Sequence, residues 1–198
     1  GDATARARLG IEAALKSRPP AFYTPEMAEG IEPGGLDDLA CVAQADWVIE
    51  AVVEEAAPKK VLLAELEPYL HDELVISSNT SGLSIGDLAQ GRSADFQRRF
   101  LGIHFFNPPR YMKLVEVIPG PETASDIVNE MAEYLSKDLG KGVVMARDTP
   151  NFIGNRMWIF TVCDMMRRIG AERMGVAAAD ALTGPMMGRP KSGTLRVC

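Results

Sequence analysis

Two residues suggest acid–base chemistry before any fold is considered. His104, one of only two histidines, closes the apolar run Gly102-Ile103-His104-Phe105-Phe106, and Glu116 sits in the middle of another, Lys113-Leu114-Val115-Glu116-Val117-Ile118. A carboxylate within an apolar strand must find a partner or face water. If the two strands are neighbours, Glu116 can accept a hydrogen bond from one imidazole nitrogen, fix the tautomer and stabilise the imidazolium. His104 is then a positioned general acid/base. A lone histidine at a strand end also serves simply as a hydrogen-bonded packing residue. The other histidine, His71, lies in the polar stretch PYLHDEL and reads as solvent-exposed.

A second cluster, Ser77-Ser78-Asn79-Thr80-Ser81-Gly82, ends the apolar strand Val75-Ile76 in hydroxyl and amide groups. In open parallel sheets, ligands bind outside the carboxyl ends of the strands. The same residues also suit a plain turn that caps a helix over Leu83 to Ala89.

The elements that must hold these residues follow from the hydrophobic pattern. Asp2 to Lys16 has helical composition, and the Pro/Gly-rich stretch from Arg18 to Gly35 reads as a connector with one short turn of structure. From Trp47, short apolar runs (WVIEAVV, LVISS, RRFLGIHFF, KLVEVI, GVVMA) alternate with helical ones, which predicts an α/β domain with a largely parallel sheet. Ser125 to Asp138 places Ile127, Met131, Tyr134 and Leu135 on one helical face, with Gly140 as C-cap before a strand over Val143 to Ala146. Asp148-Thr149-Pro150 breaks the alternation. Thr149 or Asn151 is then expected to cap a long apolar helix from about Phe152 to Ile169, apolar on nearly every side and in need of cover. The expected organisation is an α/β domain over residues 1–148, a partial Rossmann-like doubly wound sheet, followed over 149–198 by the beginning of an all-α domain.

Composition narrows the partners. With 198 residues, 46% hydrophobic and 24% charged, the chain can bury a sizeable core. A net charge of −6 and a pI near 5.0 argue against a nucleic-acid surface and favour small-molecule ligands. No apolar run approaches a membrane span, and GDATARARLG is charged rather than signal-like, so a cytoplasmic location is expected. Cys41, Cys163 and Cys198 are widely spaced with no C-x-x-C pair, so neither disulfides nor a metal site is expected and they read as reduced packing residues.

The motifs SSNTS, HFFNPP, MKLVEVI, LGKGVV and DTPNFIGNR, in this order, resemble the 3-hydroxyacyl-CoA dehydrogenase family. The resemblance is dense from about Asp46 to Arg156. RPPAFYTPE and ALTGPMMGRPKSGT further resemble the long, fused bacterial members associated with fatty-acid β-oxidation. It implies NAD as cofactor and an acyl-CoA as substrate, with a homodimer formed through the helical domain. It also implies that His104 is the catalytic histidine, Glu116 its acidic partner, Ser81 a substrate-contacting serine and Asn155 the asparagine of the interdomain helix. Ala51, Glu54, Lys59, Ser81 and Asn107 fall on the nicotinamide-side contacts. Read without the resemblance, EEAAPKK makes Glu54 and Lys59 a solvated, charge-rich entry to a helix.

One departure stands out. Family members open with a strand, a G-x-G-x-x-G loop and a helix that receives the pyrophosphate. These 198 residues contain no G-x-G-x-x-G. Gly34-Gly35 lies in the connector, and GRPKSG, with Lys191-Ser192, reads as a turn. The expectation is therefore a dehydrogenase lacking its first mononucleotide-binding unit and the distal helical domain, with weak NAD binding on its own. The competing expectations are a non-catalytic assembly module that keeps the fold and a related dehydrogenase of a non-CoA 3-hydroxy acid.

Overall fold

The computed structural model describes residues 4–37, 39–187, 193 and 195. Lys191-Ser192 and Cys198, which carried expectations above, lie outside the described residues. The chain divides into two compact units, Gly1–Phe152 and Ile153–Cys198.

The first unit is built on a five-stranded sheet whose spatial order follows the chain: β1 (Trp47–Glu50), β2 (Val75–Ser78), β3 (Phe100–Phe105), β4 (Leu114–Pro119) and β5 (Gly142–Met145). β1, β2 and β3 pair in parallel, as expected. β4 runs antiparallel to β3, and β5 is parallel to β4, so the sheet is largely parallel as expected, with one antiparallel ladder. The connection over 106–113 explains the reversal, because a parallel crossover needs about a dozen residues or more.

Helices cover both faces. α1 (Ala5–Lys16) precedes the sheet and buries none of its residues. α2 (Ala56–Leu66) and α3 (Ile85–Ala89) pack on one face, where Leu63, Leu66, Ile85 and Leu88 meet Ile76, Phe100 and Ile118. The short α4 (Ala94–Arg99), not foreseen in the sequence, begins at Ser93, whose hydroxyl accepts from Phe96 N, and buries Phe96 in the same cluster. α5 (Ser125–Lys137) covers the other face, where Ile127, Val128, Met131 and Leu135 pack on Leu101, Ile103, Val115 and Val117. Val128 takes the place expected for Tyr134, which stays 42% exposed and meets Trp47 edge-on at 6.0 Å. Gly140 follows at φ +64°, the left-handed conformation that turns the chain into β5. Gly102 permits α3 to sit close to β3, because a Cβ there would lie 2.8 Å from Ile85 Cδ1.

Two expectations about side chains are corrected. His71 is half-buried, its Nε2 lying 3.1 Å from the Ala45 carbonyl. Cys41 and Cys163 are exposed and do not pack in a core. The connector after α1 is anchored: the Arg110 guanidinium lies 3.9 Å over the Tyr23 ring and donates to the carbonyls of Pro20 and Phe22.

The second unit contains α6 (Gly154–Ala171) and α7 (Val176–Thr183). α6 starts later than expected, at an Ile153 N-cap with no side-chain bond, so neither Thr149 nor Asn151 caps it. Asn151 and Phe152 instead adopt φ of 61° and 48°. Phe152 is drawn into the sheet unit's core, 1% exposed, and the chain must turn there before a helix can form. Among the described residues no helix is long and apolar enough to cross a membrane.

Ile103, fully buried on β3, reports directly on this packing. Ile103→Ala is expected to destabilise the sheet unit by about 2–5 kcal/mol in urea unfolding. Leu9→Ala on the exposed face of α1 should change stability by less than about 0.5 kcal/mol.

Candidate functional site

The carboxyl ends of β1, β2 and β3 lie side by side, since parallel strands end on the same edge, and nearly all the candidate residues gather there. The antiparallel register sets His104 directly opposite Glu116 on β4. Paired residues share a face of the sheet, which brings their side chains within reach. His104 Nδ1 lies 2.7 Å from Glu116 Oε2, with the two residues 5% and 1% exposed. Because a carboxylate only accepts, Nδ1 carries the proton in this contact, and Nε2 lies outside it. Phe106 and Phe152 flank the imidazole, their ring centroids 4.6 and 5.8 Å away.

Asn79 joins the β2 turn to this pair. Its backbone N–H donates to the Glu50 carbonyl and its side-chain oxygen accepts from Phe105 N, the residue after His104. Thr80 then caps the turn, its hydroxyl accepting from Leu83 N at 3.0 Å. Ser81 stands exposed at the tip. Gly82 is required beside it, since a Cβ would lie 2.7 Å from Asn151 Oδ1. Ser84 caps α3, and Asp148 accepts from Ile85 N, Gly86 N and the Ser84 hydroxyl, each at 2.9 Å.

Within the charged entry to α2, Lys59 is not solvated, while Glu54 and Glu55 remain exposed. Lys59 is 1% exposed, and its ammonium lies 2.7 Å from Glu50 Oε1, 3.3 Å from Glu54 Oε2 and 3.2 Å from the Val52 carbonyl. Glu54 is partly exposed and accepts from the Thr80 hydroxyl and from Ser81 N, both at 2.6 Å. Glu50, 2% exposed, also accepts from Val52 N at 2.7 Å and from the Ser78 hydroxyl at 2.5 Å. Glu50 was not among the residues read from the sequence, and Ser78 was read only as a member of the cluster that ends β2. The signal was available for Glu50, a carboxylate in the apolar run WVIEAVV just as Glu116 is in KLVEVI.

Of the remaining candidates, Ala51 and Asn107 are exposed at the ends of β1 and β3. Asn155 lies in the first turn of α6, in the second unit. The arrangement offers a buried imidazole with one nitrogen pinned, an exposed serine on the turn after β2, and a carboxylate–ammonium cluster that ties this turn to the loop after β1.

Burial pushes the Glu54 carboxyl up, but the hydrogen bonds from Thr80 and Ser81 together with the Lys59 charge outweigh it and hold the group below its ordinary value. A depressed folded-state carboxyl contributes stability that is present above the ordinary value and lost as pH falls through the depressed one. Glu54→Gln is therefore expected to flatten the acid limb of stability against pH, as read by denaturant midpoints across that window.

Residues 4–149 match the family model described as 3-hydroxyacyl-CoA dehydrogenase, NAD binding domain. A Deinococcus radiodurans protein named "Probable 3-hydroxyacyl-CoA dehydrogenase" is 44% identical over 191 residues, covering 96% of this chain and 55% of the relative. A Bacillus subtilis protein of the same name is 43% identical over 190 residues, covering 96% and 24%. The chain thus spans about half the length of one relative and about a quarter of the other. The crystal structure of Escherichia coli 3-hydroxybutyryl-CoA dehydrogenase superposes with a TM-score of 0.77 at 32% identity, covering 91% of this chain and 39% of that one. By the match to its NAD-binding domain model and by these relatives, the chain belongs to the 3-hydroxyacyl-CoA dehydrogenase family.

Proposed function

We propose that the protein takes part in NAD-dependent oxidation of (S)-3-hydroxyacyl-CoA to 3-oxoacyl-CoA, the chemistry of fatty-acid β-oxidation. The observation that carries this reading is the buried His104–Glu116 pair at the ligand-binding edge of the sheet. Bound NAD supplies the acceptor for the hydride that leaves C3. His104 Nε2, with its lone pair free of the Glu116 bond, takes the hydroxyl proton as the hydride departs. Glu116 accepts from Nδ1 throughout and balances the positive charge that appears on the ring, in a setting where water screens little.

Ser81 holds the 3-oxygen, with its backbone fixed by Glu54. Asn155 on α6 is assigned to the same oxygen by family resemblance alone. The residues present suit the nicotinamide half of NAD: Ala51, Glu54, Ser81 and Asn107 are exposed at the carboxyl ends of the strands or in the loops that follow them. Lys59 is enclosed, so its part is to hold Glu54 from beneath. A homodimer through the helical unit and a cytoplasmic location belong to the same reading.

The test is turnover by the full-length protein with acetoacetyl-CoA and NADH, the reverse direction, against the matching free acid. The CoA thioester should be the preferred substrate. His104→Ala is expected to lower kcat by about 10²–10⁴-fold with the fold intact. Wild-type turnover in that variant at saturating substrate would sink the assignment, and equal turnover of the free acid would sink the CoA preference.

A further inference from the structure

We infer that Glu50 is a positioning residue that locks Lys59, Glu54 and the Ser78–Ser81 turn into one frame, so that the cofactor side and the hydroxyl side of the site are set together; this rests on the dehydrogenase reading above. The contacts form a closed circuit. Glu50 Oε1 holds the Lys59 ammonium, which holds Glu54 Oε2. Glu54 Oε1 accepts from the Thr80 hydroxyl and from Ser81 N. Thr80 N donates to the Ser78 hydroxyl, and that hydroxyl donates back to Glu50 Oε2. Two carboxylates and one ammonium therefore join the β1–α2 loop to the β2–α3 loop.

Glu50 is too deeply buried to touch a ligand and acts only through these neighbours. Stability alone is a poor account of it. A buried ion pair loses so much hydration that apolar residues of similar volume often serve the fold as well or better. What apolar residues cannot supply is direction. Glu50 has a separate bond on each carboxylate oxygen and a third from Val52 N, which fixes its plane and hence the line along which Lys59 and Ser78 meet it.

The experiment compares full-length wild type with Glu50→Gln and with the double variant Glu50→Leu/Lys59→Met. Amide hydrogen exchange is read at Thr80 and Ser81 without cofactor, alongside steady-state kinetics and melting temperature. In Glu50→Gln an NH2 group replaces one of the two carboxylate oxygens, so the amide cannot accept from both Ser78 and Lys59 as the carboxylate does, and Lys59 keeps only Glu54 as a charged partner. Exchange at Thr80 and Ser81 should quicken by about tenfold or more, with KM for NAD rising and kcat falling by a similar factor. The double variant should melt at or above the wild-type temperature yet show the same faster exchange and the same kinetic loss. Unchanged exchange at both amides overturns the inference. So does a lower melting temperature with exchange at these amides and kinetics per folded molecule intact. If wild type does not turn over acetoacetyl-CoA at all, the dehydrogenase reading fails, and the exchange rates still decide the role of Glu50.

Discussion

A lysine ammonium that is almost wholly removed from water dictates how the carboxyl ends of β1 and β2 and the loops that follow them are assembled. Moving such a charge out of water is costly unless several oxygens replace the lost hydration. Here Glu50, Glu54 and the Val52 carbonyl do so. Since these come from β1 and the loop after it while Lys59 comes from α2, the loop cannot shift without uncovering the charge. The turn after β2 is drawn in as well, because Glu50 and Glu54 both receive bonds from it. Among the described residues, every buried side-chain nitrogen and oxygen has a partner.

The His104–Glu116 pair depends on a different constraint, the reversal of β4. Had β4 run parallel to β3, an acidic residue at this point of the chain would have no reason to meet His104. The antiparallel ladder matches His104 to Glu116 by register alone. The connection over 106–113 makes that ladder and also supplies Phe106 and Asn107 on the way. Arg110, in the same connection, is pinned by the segment after α1, so the loop that follows the histidine has a second support remote from the sheet.

Much of this was legible in the sequence, for identifiable reasons. Strands were visible as apolar runs, and His104 and Glu116 stood out because a charge in such a run demands a partner. Helix α5 followed from its apolar spacing, although Tyr134 turned out to lie at the margin of the buried face. The direction of β4 could have been read from its short connection, but the alternation of helix and strand suggested a parallel sheet more strongly. Lys59 was harder. EEAAPKK has the charge density of a surface, and only the partners brought by β1 and the loop after it turn its second-last residue inward. The start of α6 was misplaced because Phe152 looks like a helical residue by type, while the sheet unit claims it for its own core.

The strand order, unbroken from β1 to β5, bears on how the domain comes to be. Each ladder joins strands adjacent in the chain, so no pairing waits for a distant segment to arrive. The entropy lost in closing a loop rises only slowly with its length, but the wait for remote partners is what makes many sheets slow to form. In this unit each of β2 to β5 pairs with the strand that precedes it in the chain. The His104–Glu116 pair forms only when β4 folds back on β3.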